Sequence, residues 1–379
     1  MRKIIYADNA ATTKLDIEVF EVMKPYLLDK YGNASQPYLF SRSAKMALQS
    51  ARETIAACIN ASPEEIYFTS GGTESDNWAL KGTMFVYGDH RTLMTSQIEH
   101  HAILHSADAI ERMGYPVVYL PVDKHGVVLP ETLEEYISDN TKLVSVMFSN
   151  NEVGTIEPIK ELAAIAHKHG AIFHTDAVQS VGHIPIDVQD LGVDMLSSSA
   201  HKFNGPKGIG FLYIRKGYTV QPYADGGAQE VGLRAGTENV ASIVGMAAAL
   251  KANVDAISEH TAHLEALEKR LLYQLDGLGL DYRRNGSVEH VPGNVSLSFK
   301  DVEGEMLLHR LDLLGICVST GSACDSKNNQ VSHVLQAMHI PDEYAIGTIR
   351  ISLGKDNTED EIDAIVKALT KILKPGIKK

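Results

Sequence analysis

The order of patterns along this chain predicts an α/β fold: a large domain on a seven-stranded, mostly parallel sheet, followed by a smaller α+β domain. Three observations predict it. Short apolar, β-rich runs alternate with helical patterns through the first two thirds of the sequence. Those runs are apolar throughout rather than alternating, as strands covered by helices on both faces require. After about residue 250 the texture changes to a long helix pattern, further strands and a closing helix. With 379 residues, 44% of them hydrophobic, the chain has enough apolar surface for two cores.

Taken in order, the strands of the large domain are "EEIYFTS" (64–70), "RTLMTS" (91–96), "YPVVYLPV" (115–122), "KLVSVMFS" (142–149), "AIFHTDA" (171–177), "VDMLSSSA" (193–200) and "IGFLYIR" (209–215). Helical patterns such as "IKELAAIAHKHG" lie between most of them, with apolar residues at 3.6 spacing and a glycine stop. "IGFLYIR" follows its neighbour through a short Gly-rich turn, which predicts one antiparallel member. The smaller domain opens on "ISEHTAHLEALEKRLLYQLDGL", continues with strands "NVSLSF", "GICVST" and "TIRISLG", and closes on "TEDEIDAIVKALTKIL". The expected division is 14–250 for the large domain, and 1–13 with 251–379 for the small one.

Net charge is −13, and no basic tract exceeds the "KPGIKK" tail, so no direct nucleic-acid surface is expected. No apolar run approaches the ~18 residues of a membrane span, and the opening "MRKIIYADNAATTK" lacks the apolar stretch of a secretory signal. A cytoplasmic protein is expected. Three cysteines make no disulfide framework. Cys58 and Cys317 sit in apolar patterns and read as core, whereas Cys324, in "STGSACDSKNNQ", has small and polar neighbours and reads as a loop thiol open to chemistry.

Ligands of open α/β sheets sit outside the carboxyl ends of the strands. The first such end gives Gly71-Gly72-Thr73 leading into a helix, a candidate phosphate cradle without the Gly-Lys-Ser/Thr ending of a nucleotide loop. Another ends in Asp176, with Gln179 three residues on; a buried carboxylate there needs a cationic partner. The next carries Ser199, His201 and Lys202, and a lysine so placed can lose its proton and form a Schiff base. A phosphate cradle, a carboxylate for a ring nitrogen and an imine lysine are what pyridoxal phosphate requires.

With those residues in place, the chain resembles the NifS/IscS-like cysteine desulfurases, pyridoxal-phosphate enzymes of fold type I (aspartate-aminotransferase-like). The resemblance runs through "YADNAATT", "SGGTESDN", "EHHAIL", "NNEVGTIEPI", "HTDAVQS", "SAHKFNGPKGIG", "GLRAGTENV", "STGSACDS" and "IRISLG", in family order. It implies that Lys202 carries the cofactor, Asp176 partners its pyridinium nitrogen and Gln179 its phenolic oxygen, and that His100 stacks on its ring and accepts the thiol proton. Gly72, Thr73, Ser199 and His201 would hold the phosphate, joined by Thr237 from the other subunit of a homodimer. Arg350 would grip the carboxylate of L-cysteine, with Asn151 helping it and touching the cofactor. Cys324 would take the sulfur as a persulfide, on a loop of the extended, mobile type, and pass it to an acceptor protein: an iron–sulfur scaffold or a tRNA-thiolation enzyme.

The chain departs from the family pattern at Tyr38, where a histidine is usual, at Ser41 for glycine and at Val231 for arginine. Three other readings remain open at this stage. A transaminase or carbon–sulfur lyase on the same fold would not need Cys324, a selenocysteine lyase would use the same site, and a binding protein of this fold would not need Lys202.

Overall fold

The computed structural model describes residues 4–86, 88–320 and 331–374. In chain order the strands are β1 (Ile5–Tyr6), β2 (Ile66–Thr69), β3 (Thr92–Ser96), β4 (Val117–Leu120), β5 (Thr141–Ser145), β6 (Ile172–Asp176), β7 (Met195–Ser199), β8 (Gly210–Ile214), β9 (Tyr282–Asn285), β10 (Asn294–Phe299), β11 (Ile316–Cys317) and β12 (Thr348–Ser352). The large sheet has the order β2-β8-β7-β6-β5-β3-β4. From β7 to β4 all neighbours are parallel, while β8 runs antiparallel to both β2 and β7, as the short turn before "IGFLYIR" predicts.

The sheet is covered on both faces, and β8 shows how a continuous apolar run serves two cores. Phe211 and Tyr213 join the cluster under Ile55, Phe173 and Phe203, while Leu212 and Ile214 pack with Trp78, Leu80 and Ile103 on the opposite face. Chain order steps one way from β3 to β4 and the other way from β5 to β8, so the sheet reverses between β3 and β5. A crevice opens at such a reversal, outside the carboxyl ends of the strands.

A separate core holds the remaining elements. Leu264, Leu267 and Leu271 of the helix Ile257–Asp276 and Ile362 and Ile365 of the helix Glu359–Leu373 pack with Leu297, Phe299, Ile349 and Ile351 of an antiparallel sheet ordered β12-β10-β9. Ile5 and Ala7 belong to this core, because β1 pairs parallel with β11. Two strands differ from the sequence reading. β1 is only two residues long, and β9 reads "YRRN" with three of its four residues half-buried, so neither carries an apolar run. The predicted strand 142–149 stops at Ser145, and its remainder runs alongside β6 through Val146 N–H to His174 O (3.2 Å) and Phe148 N–H to Asp176 O (2.8 Å).

Among the described residues no single helix is long and apolar enough to cross a membrane. The consecutive helices Val240–Asp255 and Ile257–Asp276 meet such a criterion only as a pair bent by 68°.

Candidate active site

A cavity of about 350 Å³ lies outside the carboxyl ends of β2, β3, β6 and β7, and Arg350 of β12 joins its lining. Gly72, Thr73, Ser199 and His201 line it, as do Asp176, Gln179 and Lys202. His100, Asn151 and Arg350 complete the set that the sequence singled out. These residues span positions 72 to 350, and the sheet topology alone places them together.

The cradle end is the N-terminus of the helix Gly72–Met84. Gly71 holds φ +147°, a conformation that side-chain-bearing residues rarely adopt. A Cβ on Gly72 would stand 2.6 Å from Val178 Cγ2, and one on Gly210 would stand 2.8 Å from Gly71 Cα. Glycine is therefore what lets this helix end settle against the sheet, and Ser199 and His201 line the same cavity. Glu74 in the first turn does not oppose an anion there, since Arg234 binds it through Nε (2.8 Å) and Nη2 (3.2 Å).

Asp176 closes β6, only 5% exposed, and its Oδ1 accepts from Val178 N–H at 2.9 Å. Burial raises its carboxyl above the usual range, against the Val178 hydrogen bond and the positive Lys202. Lys202 lies in the single turn that follows β7, and its Nζ donates to the carbonyls of Ala10 (2.5 Å) and Ala11 (3.0 Å). Gln179 Nε2 donates to the same Ala10 carbonyl at 3.0 Å. The N-terminal segment 10–11 thus forms a wall that both side chains touch.

Arg350 enters from β12, 6% exposed. Its Nη1 donates to Asn151 O (2.7 Å) and its Nη2 to Asp8 Oδ1 (2.7 Å), while Nε is buried with no hydrogen-bond partner among the described residues. The arginine is thus oriented by a backbone carbonyl and a carboxylate, with donor capacity left for a second anion.

His100 caps the helix His101–Arg112, its Nδ1 accepting from Ala102 N–H at 3.1 Å. A neutral imidazole that accepts at Nδ1 carries its proton on Nε2. Burial, followed by Lys202, pushes the ring down to about 4. As the molecule stands, His100 is a donor at Nε2, and it accepts a further proton only by giving up the cap.

The same burial pushes His174 down to about 3 and His201 to about 4. All three rings are neutral in the fold and charge near 6.5 once unfolded, so the unfolded chain binds more protons below that value. Their contribution to stability is complete above pH 6.5 and is lost as pH falls toward 4. The buried carboxyls work oppositely: Glu99, pushed up to about 8, and Asp76, Glu157 and Asp176, all raised by burial, keep their protons to higher pH in the fold than in the unfolded chain, and their contribution fades as pH rises. Replacing His174 with asparagine should therefore shift the melting temperature of the cofactor-free protein at about pH 4.5 upward relative to that at about pH 7, compared with the unaltered protein. An unchanged pH dependence of melting in that variant would contradict this reading of the buried histidines.

Two expected residues are not among the described residues that line the cavity. Cys324 lies outside the described residues, and Thr237 is not among the cavity-lining residues of the single chain. Four others went without a role in the sequence. Asp8 is the partner of Arg350, and Glu99 accepts from Ser96 Oγ (2.6 Å) and Met147 N–H (2.9 Å). His333 lines the cavity and donates from Nε2 to Glu99 O at 3.0 Å, and Asp76 lies buried beneath the cradle. The only sequence signal for Asp76 and Glu99 is a carboxylate within a helix face or strand end that is otherwise small or apolar.

The donor set fits pyridoxal phosphate. An anion-binding helix end, a buried carboxylate whose charge is favoured by a cation beside it, and an amine meet in one cavity, and the glycines keep the cradle clear of side chains. Among the described residues no group of three or more His, Cys, Asp or Glu side chains is arranged to hold a metal ion.

Comparison with known proteins agrees with this chemistry. Residues 5–365 match the family described as aminotransferase class-V. A cysteine desulfurase IscS of Clostridium botulinum is 47% identical over 380 residues, covering 99% of this chain and 95% of the relative. The solved structure of a NifS-like protein superposes with a TM-score of 0.93 at 42% identity, over 98% of this chain and 99% of that one. A structure of SspA in complex with cysteine aligns with a TM-score of 0.83 at 35% identity, over 93% of this chain and all of the other (100%).

Proposed function

The chain belongs to the class-V aminotransferase family, within which it is a cysteine desulfurase, and from that premise we propose that Cys324 receives the sulfur of L-cysteine as a persulfide while L-alanine is released. The observation that carries this reading is the convergence of Lys202, Asp176 and Arg350 on one cavity, in a family that uses pyridoxal phosphate.

Gly72, Thr73, Ser199 and His201 would hold the cofactor's phosphate, together with Thr237 of the partner subunit in a homodimer. Asp176 would face its ring nitrogen, Gln179 its phenolic oxygen, and His100 and Asn151 its ring, with Lys202 Nζ on its aldehyde carbon. Bound there, pyridoxal phosphate supplies an electron sink for charge that develops at the substrate α-carbon.

The remaining chemistry belongs to the protein. Arg350, already oriented by Asp8 and Asn151, binds the substrate carboxylate with the donor capacity it has left. The Lys202 amine takes the α-proton, holds it beside the substrate and returns it to the α-carbon before alanine leaves. The Cys324 thiolate then attacks the substrate sulfur: an S–S bond forms, the Cβ–S bond breaks, and its electron pair stays on carbon, which takes up a proton to become the methyl group of alanine. His100, with its proton on Nε2, is placed to donate rather than to accept. A free thiol is only partly ionised at neutral pH, so another cavity group assists the ionisation of Cys324. The persulfide then goes to an acceptor protein, an iron–sulfur scaffold or a tRNA-thiolation enzyme.

Incubation of the reconstituted protein with L-cysteine and a reductant tests the reading. Alanine and sulfide in equal amounts are expected. Pyruvate with ammonia, or amino-group exchange with a keto acid, would assign the cavity to a lyase or a transaminase instead.

A further inference from the structure

Asp76 lies in the second turn of the helix Gly72–Met84 and is only 1% exposed, yet it belongs to the wall of the cavity. Its Oδ1 has no hydrogen-bond partner among the described residues, and the nearest ring nitrogen, His174 Nε2, stands 3.9 Å away. His174 is held on both sides, by Ser145 Oγ at Nδ1 (2.9 Å) and by Ser197 Oγ at Nε2 (2.9 Å). It lies two residues before Asp176 on β6, so both side chains point to one face of the sheet, and Ser197 of β7 is the register partner of Asp176. Asp76, His174, Ser197 and Asp176 therefore make a single polar layer under the cavity.

From these positions we propose that Asp76 is a positioning residue for Asp176: a neutral carboxylic acid that backs the one negative charge at the floor of the site. The proposal rests on the role given above to Asp176. The groups that bear on Asp76 are Asp176 and His174 from β6, Ser197 from β7 and Glu99 from the segment after β3. None of them is a cation, because His174 is held neutral by its burial. Burial first, then the Asp176 charge, raises the Asp76 carboxyl well above its usual range, and only the Ser197 hydroxyl opposes them. Buried carboxylates this close cannot all ionise. Lys202 is the cation on hand, and it acts on Asp176. The charge accordingly falls on Asp176, and Asp76 keeps its proton behind it.

The test uses the full-length protein reconstituted with pyridoxal phosphate, reading the cofactor's Kd and the pH midpoint of its visible absorbance band. Asp76→Asn, a neutral replacement of the same shape, should leave Kd within about threefold of the unaltered protein and leave the midpoint unmoved. Asp76→Leu, which removes the polar group from the layer it shares with Asp176, should shift the midpoint by about one pH unit. If the leucine variant does not fold, Asp76→Ala takes its place. A midpoint in Asp76→Asn that moves as it does in Asp176→Asn would overturn the proposal, since Asp76 would then carry charge. A leucine or alanine variant with an unmoved midpoint would also overturn it, because a role in packing alone changes melting temperature and not the titration. Unchanged Kd and midpoint in Asp176→Asn would instead overturn the assignment of Asp176, and this proposal with it.

Discussion

Replacing Lys202 with alanine is expected to reduce alanine formation from L-cysteine by about a thousandfold or more, while the protein still folds. The side chain does two things in this structure, and only one of them is chemical. Its Nζ ties the carbonyls of Ala10 and Ala11 to the turn after β7, and among the described residues it is the only lysine lining the cavity. Losing the two hydrogen bonds costs about 1 kcal/mol each at most, which a domain of this size tolerates. Gln179 also still holds the Ala10 carbonyl. In the proposed role, losing the amine removes both the covalent hold on the cofactor and the acceptor of the α-proton, and no other lysine lines the cavity among the described residues. His100 carries its proton on Nε2 and spends Nδ1 on the Ala102 N–H. Alanine formation assayed with excess cofactor, alongside a thermal melt, checks the prediction. Turnover within about tenfold of the unaltered protein would show that another group takes the proton.

Asp176→Asn carries the second large effect. The amide keeps the size of the carboxyl, and its oxygen can still accept from Val178 N–H, so the change is one of charge. A buried negative charge facing the ring nitrogen is worth several kcal/mol once a cation sits against it. A drop in kcat of about a hundredfold to a thousandfold is expected, with a smaller change in KM, because the interaction matters most as charge develops at the substrate α-carbon. The same substitution at Asp76 should leave cofactor binding unaltered, which separates two carboxylates on one polar layer by role. A proportionate rise in KM at constant kcat would place Asp176 in substrate binding instead.

Much of this was legible in the sequence because strand ends announce themselves. Asp176, Ser199 and Lys202 each follow an apolar run that stops, and Gly71-Gly72 marks a turn into a helix. The antiparallel β8 was legible from the shortness of its connection. What stayed hidden depends on contacts between distant parts of the chain. Asp8 meets Arg350 across 342 positions, and nothing near either residue signals the pairing. The layer of Asp76, His174 and Asp176 depends on which face of a helix settles on which face of a strand, which periodicity gives only once the sheet order is known. The tautomer of His100 was hidden for the same reason: its cap hydrogen bond fixes the ring, and the sequence showed only a histidine before a helix.

The central claim is that the sulfur of L-cysteine moves to Cys324. Mass spectrometry of the reconstituted protein after treatment with L-cysteine, digested without reductant, addresses it most directly. The peptide containing Cys324 should gain the mass of one sulfur atom, with one alanine released for each modified chain. Full alanine production with no added sulfur on Cys324, or with the sulfur on Cys58 or Cys317, would contradict the account.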